Sequence, residues 1–486
     1  MKKENDYVEF NYGKLISLIN YKHLPLIILI LVGLISNIYY FNTNKAVWWD
    51  EAEYLSFVNY VTKGIPHSLW DGRAVVYPIM LSLVALINPD ESFLKIFLIL
   101  INLLTIFSCY ILLKKLFDKK IAFFSTLLFE TSFLFLFFQL RFLTEIPSAM
   151  FIMLGLYFLL NKDLKSNIFA GIFIGLAIGT RFTSLFVIPA MILYNLFSKS
   201  KIKEYAWIPS IIIGFLPIII FDLSQGNTLF YSLLFFITQS VAHSSIQPWY
   251  YYIMDLVYIN SFTVPFFLVG LIKYLKLNNK KILIISFFII SLLAHSMTNH
   301  KEDRYILPIM LFYYLIAVQG VYYLYEKITQ SKKNKKKTIS LKNKLIGFLK
   351  NKTLINIIIV LFFSYSIYNS VNIANSDILT KSVGYYEVKQ AGEFLKNYAD
   401  KNEIILSNTP QTNYYSEREM KPFPKTSELY SFLENNANIN YFVVSLYEGL
   451  PECYQEFLNE EKFKILSTFN LINSNQTTVF VIKYLR

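Results

Sequence analysis

Long apolar runs separated by short polar stretches occupy most of the chain. They fall at about Leu24–Phe41, Phe93–Leu113, Ile121–Phe138, Ile146–Leu160, Ile168–Thr180, Ser184–Phe197, Ala206–Phe221, Ile253–Leu275, Ile282–Met297, Tyr305–Tyr325 and Leu354–Ile373. A helix needs roughly 20 apolar residues to cross the hydrocarbon of a bilayer. The pattern therefore predicts a polytopic α-helical membrane protein with about eleven spans. Several runs are short, and Ile168–Thr180 and Ser184–Phe197 need their flanks, or a locally thin bilayer, to cross. One further run, Val75–Ile87, is shorter still and reads as a helix lying in the outer interface. If it crossed, Lys114, Lys115, Lys119 and Lys120 would fall outside, against the positive-inside rule.

With that assignment the lysines sort to one side. Lys2, Lys3, Lys14 and Lys22 are inside, as are Lys162 and Lys165, then Lys199, Lys201 and Lys203, then Lys273, Lys276, Lys280 and Lys281. The densest group, Lys332 to Lys337 with Lys342, Lys344, Lys350 and Lys352, lies in a basic loop at 326–353 on the same side. This explains the net charge of +13 as a topology signal rather than a nucleic-acid one. Residues 1–23 form a cytoplasmic N-terminus without a small-residue cleavage site, so the first apolar run is read as an uncleaved span. Residues 24–375 then form the membrane domain, with a first outer loop at 42–92.

From Ser376 onward the pattern changes. Helical periodicity over Glu387–Tyr398, Ser427–Asn435 and Pro451–Glu460 alternates with strand-like Glu403–Ser407, Tyr441–Ser445, Phe463–Phe469 and Thr478–Tyr484. Residues 376–486 are expected to form a small extracytoplasmic α/β domain, without a glycine-rich phosphate loop. It carries an Asn475-Gln-Thr477 sequon, a pattern that also occurs often by chance.

Composition agrees with lipid as the solvent: 55% of residues are hydrophobic and 16% charged, whereas a soluble domain carries about 25% charged residues. The 44 Phe and 36 Tyr suit a polytopic protein with interfacial aromatics. Cys109 lies in an apolar run and Cys453 in the polar tail, too differently placed for a disulfide framework.

Candidate chemistry gathers in the outer loops. They contain Trp48-Trp49-Asp50-Glu51-Ala52-Glu53-Tyr54, Gln139-Leu140-Arg141-Phe142-Leu143-Thr144-Glu145-Ile146-Pro147, Thr180-Arg181-Phe182-Thr183 and Asn299-His300-Lys301-Glu302-Asp303-Arg304-Tyr305. Each has a plainer explanation. The tryptophans serve as interfacial anchors, Asp50 and Glu51 as helix caps, Arg181 as a partner of lipid phosphate, and His300 to Arg304 as a solvated loop. Glu130 lies within an apolar run, where a carboxyl is costly unless paired or lining a cavity. His243 and His295 read as satisfied structural residues. The combination says more than any part. Sugar transfer from a phosphate carrier needs a carboxylate for the acceptor's proton and cations for the leaving phosphate.

In this order and on these loops, the motifs resemble the GT-C superfamily of membrane glycosyltransferases. They look most like the protein O-mannosyltransferase and aminoarabinose-transferase group, glycosyltransferase family 39. The matching features are Asp50-Glu51 after the first span, Val76-Tyr77-Pro78-Ile79, Arg141 to Glu145-Ile-Pro, Gly171 through Gly179 to Arg181, and His300-Lys-Glu-Asp-Arg304-Tyr-Ile-Leu-Pro308. The last is similar to an HKExRF element of related lipid-sugar-dependent mannosyltransferases. The resemblance implies transfer of a hexose, mannose as first choice, from polyprenyl- or dolichyl-phosphate to a glycan, protein or lipid hydroxyl, with inversion. By it, Asp50 is the general base, Glu51 assists, and Glu145 orients the acceptor. Arg141, Arg181, His300, Lys301, Arg304 and Tyr77 bind the carrier phosphate. No cofactor is required with certainty; a divalent ion on Glu145 and Asp50 stays open. The alternative is a lipid-sugar flippase, with Glu130 its chief support.

Overall fold

The computed structural model describes residues 23–242, 247–274, 278–298, 300–330, 352–458, 461–472, 474 and 476–485. The N-terminal lysines, His243, Lys276, Asn299, the loop lysines from Lys332 to Lys350 and the sequon residue Asn475 lie outside these.

The first part is helical: α1 (Leu24–Tyr40), α2 (Trp49–Lys63), α3 (Val76–Ala85), α4 (Glu91–Leu116), α5 (Lys119–Glu130), α6 (Phe133–Phe138), α7 (Glu145–Leu159), α8 (Leu164–Thr180), α9 (Val187–Phe197), α10 (Trp207–Ser224), α11 (Tyr231–Ala242), α12 (Tyr251–Ile259), α13 (Val264–Tyr274), α14 (Asn279–Met297), α15 (Leu307–Gln330) and α16 (Lys352–Lys381). Among the described residues, four helical stretches are long and apolar enough to cross a membrane: Glu91–Leu116, Ile202–Ser224, Asn279–Met297 and Asp303–Lys327. A fifth is the pair α12 and α13, bent by 117°. Of the roughly eleven expected spans, several of them short, the described residues show four long ones, a broken one and several apolar helices of 10–17 residues. Polar groups inside apolar runs cause some of the breaks. Ser132 divides Ile121–Phe138 by donating to Phe129 O and accepting from Phe135 N, so α5 ends and α6 begins. Such interruptions are tolerated where the backbone is buried in protein, as all of α6 is. Helix α3 has 10 residues, about 15 Å of length, against about 30 Å of hydrocarbon.

Large apolar side chains stand exposed along the outer helices, among them Ile35, Ile38, Ile96, Ile220 and Leu293. A contiguous surface of that kind belongs against lipid. Inside the bundle, α15 is the central element. The apolar window of its stretch is 89% buried, and it packs on α5, α7, α13 and α14. Small residues let other helices approach closely. A Cβ built on Gly171 would lie 2.1 Å from Trp207 O, and one on Gly175 would lie 2.1 Å from Ile211 O. Helices α8 and α10 therefore meet backbone to backbone, the small-xxx-small packing common between membrane helices.

The chain ends alternate between two faces. Helix α4 starts at Glu91 and ends at Lys114–Lys115. Helix α7 starts at Glu145, the turn at Lys162 follows it, and α8 returns to Arg181. Thus one face collects the acids and arginines of the candidate site, and the opposite face collects lysines.

Beyond α16 lie α17 (Tyr386–Tyr398), β1 (Ile404–Leu406), α18 (Pro410–Ser416), β2 (Met420–Lys421), α19 (Leu429–Asn435), β3 (Ile439–Ser445), β4 (Phe463–Asn470) and β5 (Thr477–Tyr484). The sheet order is β2-β1-β3-β5-β4, with β1 parallel to both β2 and β3, and β5 antiparallel to β3 and β4. Successive strand side chains point to opposite faces. Tyr441 and Val443 accordingly pack with Val388, Ala391 and Leu395 of α17, while Phe442 and Val444 pack with Leu429 and Leu433 of α19. The sheet is covered on both sides. The segment expected to be helical at Pro451–Glu460 is a 3-10 helix over Glu452–Leu458. Helix α18 and strand β2 were not evident in the pattern: α18 is polar, and β2 spans only two residues.

Candidate active site

Helix α2 is built to present Asp50. The Glu51 carboxylate accepts from Trp48 N at 2.7 Å, a third-residue side chain closing the helix start. It also accepts from Phe142 N at 2.7 Å and faces Arg141 at 3.3 Å. Both side chains of that pair are only 2% exposed. The Arg141 guanidinium lies 3.6 Å from the Trp48 ring centroid. Glu51 and Arg141 are thus engaged with each other and with the loops they join. They brace the start of α2 against the loop before α7.

Asp50, next to that brace, faces the other way. One oxygen meets Arg73 at 2.5 Å and the other meets Arg304 at 2.6 Å. Burial by itself would raise its pKa, but the two guanidiniums dominate and hold the carboxyl well below the ordinary carboxylate range. Asp50 is therefore ionised at neutral pH. Arg73 also meets Glu53 at 2.7 Å and lies over the rings of Tyr54 and Trp70. Burial keeps the Glu53 pKa raised despite that contact.

Arg304 links Asp50 to the rest. It stands at the start of the central helical stretch, 3.4 Å from Glu145 and 2.6 Å from Glu302. Glu145 Oε1 also receives Arg181 at 2.8 Å, and Arg181 donates to Thr144 and Thr183 at 3.1 Å each. The Arg181 guanidinium sits 4.7 Å from the Tyr305 ring centroid. Gly179 allows this end of α8 to approach α3, since a Cβ there would lie 2.6 Å from Val76 Cγ2. His300 meets Glu302 at 2.6 Å. That bond raises the His300 pKa and, against burial, holds Glu302 down at about 2.

Asp50, Glu145, Arg181, His300 and Arg304 thus come together in one network. Lys301 points elsewhere: its ammonium donates to the backbone carbonyls of Thr298 at 2.7 Å and Gln247 at 3.1 Å. Tyr77 is wholly buried against Tyr54, with ring centroids 5.7 Å apart. Arg73, Glu53 and Glu302 are members of the network that reading the motifs passed over. Arg73 carried one usable signal, the one arginine of the first outer loop, placed just ahead of the Val-Tyr-Pro helix.

Among the described residues, no group of three or more His, Cys, Asp or Glu is arranged to hold a metal ion. Arginines take both oxygens of Asp50, and among the described carboxylates of the network Glu145 Oε2 is the buried oxygen without a hydrogen-bond partner. The residues as arranged do not fit a divalent ion, which would sit among guanidiniums.

Residues 73–221 match the dolichyl-phosphate-mannose-protein mannosyltransferase family. Among solved structures, the fold is similar to ArnT from Cupriavidus metallidurans in the apo state, with TM-score 0.68, 11% identity, and 95% of this chain and 98% of that chain covered. ArnT bound to undecaprenyl phosphate gives TM-score 0.67 at 10% identity over 94% and 97%. The Archaeoglobus fulgidus oligosaccharyltransferase gives 0.59 at 12% identity over 88% and 69%. No curated protein matches by sequence. The fold is thus like that of ArnT and the archaeal oligosaccharyltransferase, and the family match over residues 73–221 makes the chain similar to membrane glycosyltransferases of the GT-C type. Within that class, the chain resembles the protein mannosyltransferase and ArnT group.

Proposed function

We propose that this protein transfers a hexose, mannose as first choice, from a polyprenyl- or dolichyl-phosphate carrier to an acceptor hydroxyl, with Asp50 as general base. The observation that carries the reading is the Asp50 carboxylate held between Arg73 and Arg304 at the end of the helix bundle. Solved structures include ArnT bound to undecaprenyl phosphate and the archaeal oligosaccharyltransferase AglB in complex with a dolichol-phosphate. Those ligands support a lipid-phosphate donor here. The lysines at the opposite face support placing the site on the outer side of the membrane.

Two guanidiniums on one carboxylate suit both halves of the reaction. As arranged, they neutralise Asp50. A donor phosphate competes for the same donors, because Arg binds phosphate through paired, charge-assisted hydrogen bonds. Phosphate on Arg73 and Arg304 frees Asp50 and weakens the pull that keeps its pKa low. The freed carboxylate accepts the acceptor's hydroxyl proton as that oxygen attacks the anomeric carbon. The bond between the anomeric carbon and the phosphate oxygen breaks, with inversion. The electron pair leaves on the carrier phosphate, whose growing charge the arginines stabilise. Glu145 holds Arg304 and Arg181 in place through Oε1 and keeps Oε2 for the acceptor.

The test is transfer in reconstituted membranes, with labelled polyprenyl-phosphate mannose and the protein's own membrane extract. Asp50→Asn is expected to lose about 10²–10⁴-fold in rate, the contribution typical of a general base. Equal turnover by both proteins removes Asp50 from the mechanism. One observation favours a second reading, a lipid-sugar flippase: Glu130 is buried, and neither of its carboxyl oxygens has a hydrogen-bond partner. Glu130→Gln distinguishes the two. Carrier movement abolished by Glu130→Gln, with no sugar transfer by either protein, replaces the transferase by the flippase.

A further inference from the structure

The face opposite Asp50 carries a cavity of about 530 Å³, lined by Lys115, Lys162, Lys280, Tyr194, Asn278 and Asn279. These residues come from four separate places: the end of α4, the turn between α7 and α8, the end of α9 and the start of α14. Three lysines line it, and no carboxylate is among the described lining residues. The neighbouring acids are turned to other work. Asp163 accepts from Ser166 N and caps α8, and Asp118 accepts from Lys120 N and Ile121 N and caps α5.

Two of the lysines are fixed rather than free-swinging. Lys280 donates to the carbonyls of Lys115 and Leu116 at 3.4 and 3.1 Å, satisfying groups left open at the end of α4. Lys115 donates to Tyr157 O and to the side chain of Asn161. Each ammonium has three donors, so each retains one beyond those two contacts. Lys162 stands on a turn with a positive φ of 61°, at the mouth of the cavity. An open cavity whose cations are held by helix-end contacts, with amide side chains and a buried tyrosine beside them, differs from a run of lysines along one loop.

We infer that this cavity binds a phosphate-bearing anion at the membrane edge, either the headgroup of an anionic phospholipid or a soluble phosphate. The chemistry is the same in both cases: charge-assisted donors around phosphate oxygens. Its place at the ends of apolar helices, with exposed Leu164 and Leu196 nearby, gives acyl chains a surface to follow. The site stands apart from the proposed reaction and does not depend on it.

The test uses the full chain in detergent. Native mass spectrometry with equimolar phosphatidylglycerol and phosphatidylcholine reads lipid retention, and calorimetric titration with inorganic phosphate reads the soluble source. Lys162→Glu places a carboxylate at the cavity mouth without touching the helix-end contacts of Lys115 and Lys280. Lys162→Arg keeps the charge. Lys199→Glu makes the same charge change on the same face, outside the cavity lining. Wild type, Lys162→Arg and Lys199→Glu are expected to retain one phosphatidylglycerol, and Lys162→Glu to retain it about tenfold less, since a like charge beside the ligand is strongly unfavourable. Phosphatidylglycerol retained without phosphate binding assigns the lipid; phosphate bound and lost in Lys162→Glu assigns the soluble anion. Equal retention of both lipids, equal loss in Lys199→Glu, undiminished binding by Lys162→Glu, or no binding of either probe overturns the inference.

Discussion

Neighbouring carboxylates in this protein have different work because they face different partners. Asp50 and Glu51 are adjacent, yet Asp50 meets two arginines of the network while Glu51 closes a helix start and meets buried Arg141. Losing one partner of a buried pair costs about 3–5 kcal/mol. Glu51→Gln is accordingly expected to lower the unfolding temperature markedly with little direct effect on the chemistry, whereas Asp50→Asn loses turnover beyond what the loss of its own ion pairs costs in stability. Equal unfolding temperatures for Glu51→Gln and wild type in a thermal scan would show that Glu51 is no brace. A second residue-scale prediction concerns His300. Glu302 raises its pKa, so this pair contributes stability that is fully present below pH 6.5 and lost as pH rises through the higher folded value. Glu302→Gln is expected to shift the His300 titration downward, read by NMR of the imidazole. An unmoved midpoint would separate the two side chains in solution.

Elements hold these residues in register. Helix α18 lies on α2 and ties the sheet region to the site. Tyr415 receives a hydrogen bond from Val47 N at 2.9 Å, and Asn59 donates to Tyr414 O at 3.1 Å. Tyr415→Phe leaves a buried backbone N–H without its acceptor, a cost of about 1–3 kcal/mol. Slower hydrogen exchange at Val47 in wild type than in the variant would verify that link, and identical exchange would refute it. The contact of α8 with α10 makes a different demand, on volume. Gly175→Leu is expected to force the helices apart and destabilise by about 1–3 kcal/mol or more, because overpacking a close contact displaces backbone. Unchanged thermal stability in detergent would mean that the helices do not meet there.

At the scale of the whole molecule, alternation of helix ends sorts charge between faces. The arginine and carboxylate network occupies one end and the lysines of the cavity the other. If the positive-inside rule sets the orientation, a cysteine introduced at Lys199 should react with an impermeant thiol reagent only after the membrane is opened. One at Ser427 should react in intact cells. Cys109 and Cys453 are both buried, which keeps the background low. The reverse labelling pattern would invert the topology and place the site on the inner face.

Much of this was open to a reader of the sequence. Composition and apolar runs suffice for a polytopic membrane protein, because the scarcity of charge over such lengths admits no other solvent than lipid. The tail's change of period predicts its sheet, since strands and helices impose different spacings on buried positions. Four loops rich in acids and bases were legible as a candidate site, and Asp50, Glu145, Arg181, His300 and Arg304 do come together in one network. What the sequence could not decide depends on contacts between distant segments. Arg73 joins Asp50 across 23 positions and Arg304 joins it across 254, so neither pairing leaves a local pattern. Lys301 looks like another phosphate ligand in one dimension, but backbone carbonyls claim it in three. Helix breaks at Ser132 and between α12 and α13 interrupt runs that hydropathy reads as continuous, because hydropathy measures transfer to lipid and not which backbone groups the rest of the protein satisfies. The basic cavity was visible only as separate lysines until four helix ends brought three of them together.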